Sequence, residues 1–156
     1  MVFAHDTALS LRAAVALVNS AEPPDTLASD AELDAVRRLR PRLRKLLTAE
    51  RDDAVTIVND LLAEAGAVPR LVRHDRFDWH LHVVDPETPL DERIAAETAM
   101  AMIDVIRADE LSRLGVCAQD DCASIVLDLS RNRSKIFCGT TCSNRAAVAA
   151  YRARNR

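Results

Sequence analysis

Apolar positions recur at three- and four-residue intervals through the first seventy residues, and that spacing predicts helices. Leu11, Val15 and Val18 make the first stripe, with Asp6 or Thr7 placed to cap it and Pro23-Pro24 placed to stop it. Ser29 and Glu32 then form a capping box, in which each side chain satisfies an orphan amide of the other residue. Leu33, Val36, Leu39, Leu43, Leu46 and Leu47 follow on one face, with Pro41 expected to kink the helix. Asp52-Asp53 open a third helix carrying Val55, Val58, Leu61 and Leu62, and Gly66 is placed to close it.

After Pro69 the period changes from three or four to two. Phe77, Trp79, Leu81 and Val83 alternate with Asp78, His80, His82 and Val84, which predicts a strand with one buried face. Residues 70–74 supply an antiparallel partner across a turn near Asp75-Arg76. A long helix is predicted from Thr88-Pro89 through Ile94, Thr98, Ala101, Met102, Val105 and Ile106 to about Leu114. The fold class is therefore α+β and mostly helical. A helical body over 1–113 carries a small antiparallel β-hairpin near 70–84, and a separate small unit occupies 114–156.

That last unit holds all four cysteines, spaced Cys117-x4-Cys122-x15-Cys138-x3-Cys142. Two close pairs separated by a short hairpin's length predict a four-thiolate zinc site, closed and structural. An iron–sulfur cluster or unligated thiols are the alternatives. Disulfides are disfavoured because the start of the chain lacks a basic stretch followed by an apolar run, and no Cys-x-x-Cys redox pair occurs. Within the unit, Cys117 and Cys122 bound a knuckle, and Ile125, Leu127 and Leu129 alternate as a strand. Residues 131–134 then turn, Ile136 and Phe137 return, and Cys138 and Cys142 open a terminal helix. A knuckle, a hairpin and a helix start make a treble-clef-like finger. On its helix Cys142, Ala146, Ala149 and Ala153 share a stripe expected to lie close to the hairpin, beside a stripe of Arg145, Arg152 and Arg156.

Charge divides the chain at the same place. The 156 residues have a formal net charge of −3. Residues 1–128 contain all 24 acids against 14 Lys and Arg, whereas residues 129–156 contain seven basic residues and no acid. An acidic body with a basic arm suits a polyanionic partner. Zinc with four thiolates leaves two negative charges to balance, fewer than the arm supplies, and Arg145, next to Cys142, is the arginine expected to serve the metal site. Only five residues are aromatic, so a stacking platform for single strands is disfavoured and duplex DNA is the expected partner. Arg131, Asn132, Arg133, Lys135, Asn144, Arg145, Arg152, Arg154 and Arg156 are the candidate nucleic-acid contacts.

Other residues receive plainer readings. His80 and His82 share one strand face where a metal or ligand could sit, but the exposed polar side of a sheet accounts for them; His74 is expected to pack beside Phe77 or Trp79. Arg37, Arg38, Arg40, Arg42, Arg44 and Lys45 read as a solvated helix face salted against Asp30, Glu32 and Asp34. Asp120 and Asp121 read as knuckle surface. No glycine-rich phosphate loop is present and no nucleophile stands beside an identifiable base, so no enzyme is expected. No stretch is apolar for long enough to cross a membrane, and a cytoplasmic protein is expected.

The motifs around the cysteines resemble a known family. Cys142-Ser143-Asn144-Arg145, together with Leu127-Asp128-x-Ser130-x-Asn132-Arg133 and an aromatic residue before the third cysteine, is similar to the CGNR-type zinc finger. The departures are Ser143 where the family has glycine and Phe137 where tryptophan is usual. That finger commonly follows an ABATE domain, and Leu17-Val18-Asn19 and Leu39-Arg40-x-x-Leu43-Arg44 resemble parts of one. The resemblance implies a stress-responsive transcription regulator; with the basic arm and the cysteine spacing, the expected protein binds Zn2+ and DNA, and its body is expected to sense a small-molecule ligand or form a homodimer. A protein-interaction module, and a small-molecule sensor with a purely structural zinc site, are the competing readings.

Overall fold

A computed structural model describes residues 3–20, 30–73 and 78–155 of the chain. The helical periods become α1 (His5–Asn19), α2 (Asp30–Leu47), α3 (Arg51–Glu64) and α4 (Leu90–Arg107). α4 is the centre of the body, packed against α1, α2 and α3. Its inward face is Ala95, Ala96, Thr98, Ala99, Ala101, Met102, Val105 and Ile106. The alanines let neighbouring helices approach closely, and Met102 and Val105 fill the space between Leu11, Leu43, Leu46, Leu47 and Leu61.

The helix ends follow local chemistry. α3 closes at Gly66, whose φ of 55° lets its N–H reach the Ala63 carbonyl while that of Ala67 reaches Leu62. α2 continues through Pro41 without a break. α4 stops at Arg107, not near Leu114 as the sequence predicts. Asp109 adopts φ 57°, and the amides of Asp109 and Glu110 reach back to the carbonyls of Ile106 and Val105. This is the glycine-type helix ending made with aspartate, whose short side chain tolerates the left-handed region. A single 3-10 turn, Leu111–Arg113, follows. The predicted capping serine Ser29, the Pro23-Pro24 stop, the turn near Asp75-Arg76, and His74 and Phe77 lie outside the described residues.

β1 (Arg70–Val72) and β2 (His80–His82) pair antiparallel, with Leu71 opposite Leu81. The predicted hairpin forms, but its faces are inverted from expectation. Trp79 is 62% exposed and Leu71 66%, while His80 and His82 are half-buried. The hairpin is anchored just beyond β2, where Val83 and Val84 seat beside Ala96 of α4. That anchorage leaves the apolar side of β2 outward, with the Arg73 guanidinium over the Trp79 ring at 5.4 Å.

The carboxy-terminal unit begins with β3 (Leu114–Val116), paired antiparallel with β4 (Ile125–Leu127), so the finger's hairpin is built from the two flanks of the knuckle. The expected partner of β4, Ile136-Phe137, does not pair with it. Asp128 accepts the amides of Ser130 and Lys135 on its two carboxylate oxygens, curling residues 128–135 into a loop. The returning segment is thereby delivered to the knuckle, where the Ala118 N–H meets the Ile136 carbonyl. α5 (Thr140–Arg154) completes the chain and buries only Cys142. Ala149 and Ala153 are exposed, so the alanine stripe does not lie against the hairpin.

Candidate metal centre

Each cysteine is placed by a different piece of local structure. Cys117 directly follows β3, its N–H bonded to the Ser124 carbonyl across the knuckle. Cys122 follows a turn in which its N–H reaches the Gln119 carbonyl. Cys138 precedes α5, and Cys142 lies in the first turn of that helix, where the positive end of the helix favours a thiolate. The four Sγ atoms all lie within 4.8 Å of one another. Cys138 Sγ is 3.7 Å from that of Cys122 and 3.6 Å from that of Cys142. A tetrahedral zinc with Zn–S bonds of about 2.3 Å spaces its sulfurs by about 3.8 Å. None of the four is in a disulfide, and the separations fit an ion at their centre.

Proton affinities of the thiols follow from their hydrogen bonds, their burial and that crowding. Cys122 is pulled down to about 6, first by hydrogen bonds from Ser124. Cys142 is pushed up to about 12, first by its contact with Cys138 and then by burial, and burial raises Cys138 as well. Cys122 is thus the readily ionised member, while Cys138 and Cys142 hold their protons through burial and contact with neighbouring thiols. A cation at the centre reverses that preference. The Cys138 N–H also points at Cys117 Sγ, 3.4 Å away.

The basic residues of the arm fall into two groups. Arg145 bridges from α5 to Asp121 of the knuckle at 2.5 Å, which holds its guanidinium more firmly protonated than usual. It therefore ties α5 to the knuckle, and Asp121 is a structural partner as well as a surface residue. Arg133 pairs with Glu110 at 2.7 Å, and Lys135 Nζ donates to the Leu127 carbonyl at 3.2 Å. Arg131, Asn132, Asn144, Arg152 and Arg154 are exposed; Arg156 lies outside the described residues. Several members of the Arg37–Lys45 run are engaged within the protein. Arg37 pairs with Asp34, Arg42 grips both carboxylate oxygens of Glu64 on α3, and Arg44 donates to the Ala123 carbonyl in the knuckle.

Three residues that seat the finger on the body escape a reading by spacing. The Asn19 side-chain amide donates to the Ile125 carbonyl at 2.8 Å and accepts the Ile125 N–H at 2.7 Å, standing in for a neighbouring strand along β4. Arg113, 5% exposed, pairs with Glu110 and donates to the carbonyls of Asp128 and Ser130. Arg44 is the third. Ile125 and Leu127 join the core of the helical body, so the finger's first hairpin is packed into the body.

Two family models match the sequence. Residues 4–109 match ABATE, described as "Putative stress-induced transcription regulator", and residues 113–155 match the CGNR zinc finger. No curated protein matches the chain. No described helix is long and apolar enough to cross a membrane.

Proposed function

The chain belongs to the ABATE family and carries a CGNR zinc finger after that domain, and from this premise we propose that it is a zinc-containing, DNA-binding transcription regulator of the cytoplasm. Zinc held by Cys117, Cys122, Cys138 and Cys142 would supply no reaction; it fixes the knuckle against the first turn of α5. The body, by sensing a ligand or forming a dimer, sets where that finger is presented. Binding, not catalysis, is the work assigned to every part.

The observation that carries the reading is α5 itself. It leaves the cysteine cluster as a helix exposed along its length beyond the first turns, with Arg152 and Arg154 at its far end, while the opposite charge is concentrated in the body. Those two arginines, with Arg131 on the 128–135 loop and Arg156 beyond them, are the phosphate contacts; Asn132 and Asn144 offer hydrogen bonds to phosphates or base edges. Arg133 and Arg145 contribute less, because each would have to give up a carboxylate partner.

The test is binding of the zinc-loaded full chain to random duplex DNA across a salt series. Affinity should fall steeply with salt, and Arg152→Ala and Arg154→Ala should each reduce the log–log slope by about one. Salt-independent binding would overturn the reading in favour of a protein partner docking on Val148 and Tyr151, which are 48% and 62% exposed on the same helix.

A further inference from the structure

His80 and His82 stand two residues apart on β2, so both imidazoles leave the same face of the hairpin. Together with residues of α1 and α4, His80 and His82 line a cavity of ≈ 530 Å³, within the range that holds small ligands. The cavity wall is largely apolar, with Leu9, Trp79 and Met100 among its residues. Its carboxylates are Asp6, Asp78, Glu97 and Asp104, and no lysine or arginine is among its described lining residues. The surroundings therefore favour a cation.

The two rings are set as metal-binding imidazoles are set. Nδ1 of His80 lies 2.8 Å from the carbonyl oxygen of Asp78, which can only accept a hydrogen bond. Nδ1 therefore carries the hydrogen, and Nε2 presents a lone pair. Metal-ligating histidines characteristically donate their second N–H to a carbonyl in this way. Nε2 of His80 faces Nε2 of His82 at 3.1 Å, with the ring planes 60° apart. Two imidazole nitrogens bound to one ion at about 2.05 Å are separated by about 2.9 Å at a right angle and about 3.4 Å at the tetrahedral angle. The observed separation falls between the two.

The geometry points to a second metal site in the body: a divalent first-row transition ion such as Zn2+, Co2+ or Ni2+, chelated by Nε2 of His80 and His82 and open toward the cavity. Imidazole donors select this class over Mg2+ or Ca2+. The two imidazoles supply two positions of the shell, and the cavity leaves room for water or a coordinating small molecule beside them. This site stands apart from the finger and does not depend on DNA binding.

Nickel is a suitable probe, applied to the zinc-loaded full chain by calorimetry with metal analysis alongside. One Ni2+ per chain should bind in addition to the finger's zinc, which should be retained. His80→Gln and His82→Gln should each weaken Ni2+ binding at least about tenfold, since each removes one of the two chelating imidazoles, with zinc content and helical circular dichroism unchanged. In the wild-type protein, Ni2+ should broaden the ring proton resonances of His80 and His82 before any others, a readout that needs no variant. No uptake beyond displacement of zinc, undiminished uptake by the double variant, or broadening centred elsewhere would overturn the proposal and leave the pair as two hydrogen-bonded imidazoles.

Discussion

Helices α4 and α5 contain four and five alanines, yet α4 buries eight of its 18 residues and α5 one of its 15. The difference lies in what accompanies the alanines. In α4 they share a face with Met102, Val105 and Ile106, whose bulk gives three other helices something to pack on. In α5 the larger apolar residues, Val148 and Tyr151, stand exposed. A stripe of alanines removes obstacles to close packing but supplies little apolar area to drive it. α4 is therefore held along its length, whereas α5 is fastened only near its start, by Cys138, Cys142 and the Arg145–Asp121 bridge.

The largest effect should come from removing the metal. Structural zinc contributes about 10–16 kcal/mol to the folding of isolated fingers, and nothing in the packing of α5 replaces it. A chelator, or Cys142→Ser, should abolish amide protection in 138–155 and in the knuckle while α4 remains protected. Because Ile125 and Leu127 belong to the body's core and Asn19 pairs the Ile125 backbone, β4 should stay protected as well. Collapse of α4 together with α5, read by hydrogen exchange, would break the contrast between the two helices. Zinc affinity should also fall as pH falls. Cys142, pushed up to about 12, and Cys138, also raised, hold protons that the ion must displace. Calorimetry in buffers of different ionisation enthalpy measures that proton release.

Met102→Ala, at the centre of α4 and fully buried, should come next, at about 2–5 kcal/mol of global stability. Denaturant unfolding should move to a lower midpoint with zinc stoichiometry unchanged, the inverse of the cysteine variant. Asn19→Ala should be smaller, about 1–3 kcal/mol, because the Ile125 amide and carbonyl each lose a partner in a half-buried place. Its signature is selective: faster exchange at Ile125 and looser coupling of finger to body.

The reach of the sequence follows the same division. Helices that bury a full stripe were legible because burial needs periodicity, and the cysteine spacing was legible because a tetrahedral ion needs four ligands at short range. Side-chain to backbone bonds leave no such period. Asn19, Arg44 and Arg113 act on carbonyls and amides of segments from 15 to 106 residues away; Asn19 and Arg44 stand in the two segments that resemble an ABATE domain, but no period in the chain says what they bind. The end of α4 was missed because aspartate replaces the usual glycine at position 109. The inverted face of β2 was missed because alternation gives two faces without saying which one a neighbouring element will cover; Val83 and Val84 decided it.

The smallest predicted effect gives the sharpest form of the contrast, because one substitution can be made in both helices. Val105→Ala in α4 removes two methyl groups from a site 1% exposed, leaves a cavity among packed neighbours, and should cost about 1–3 kcal/mol. Val148→Ala in α5 removes the same atoms from a site 48% exposed. The transfer term there is largely absent, and alanine's better helix propensity works in the opposite direction, so the change should fall within about 0.5 kcal/mol of zero or stabilise slightly. Thermal unfolding of the zinc-loaded proteins distinguishes the two outcomes. A loss at Val148 comparable to that at Val105 would mean that this face of α5 is covered in solution, and deletion of the partner or dilution of the protein would then show whether a second chain covers it.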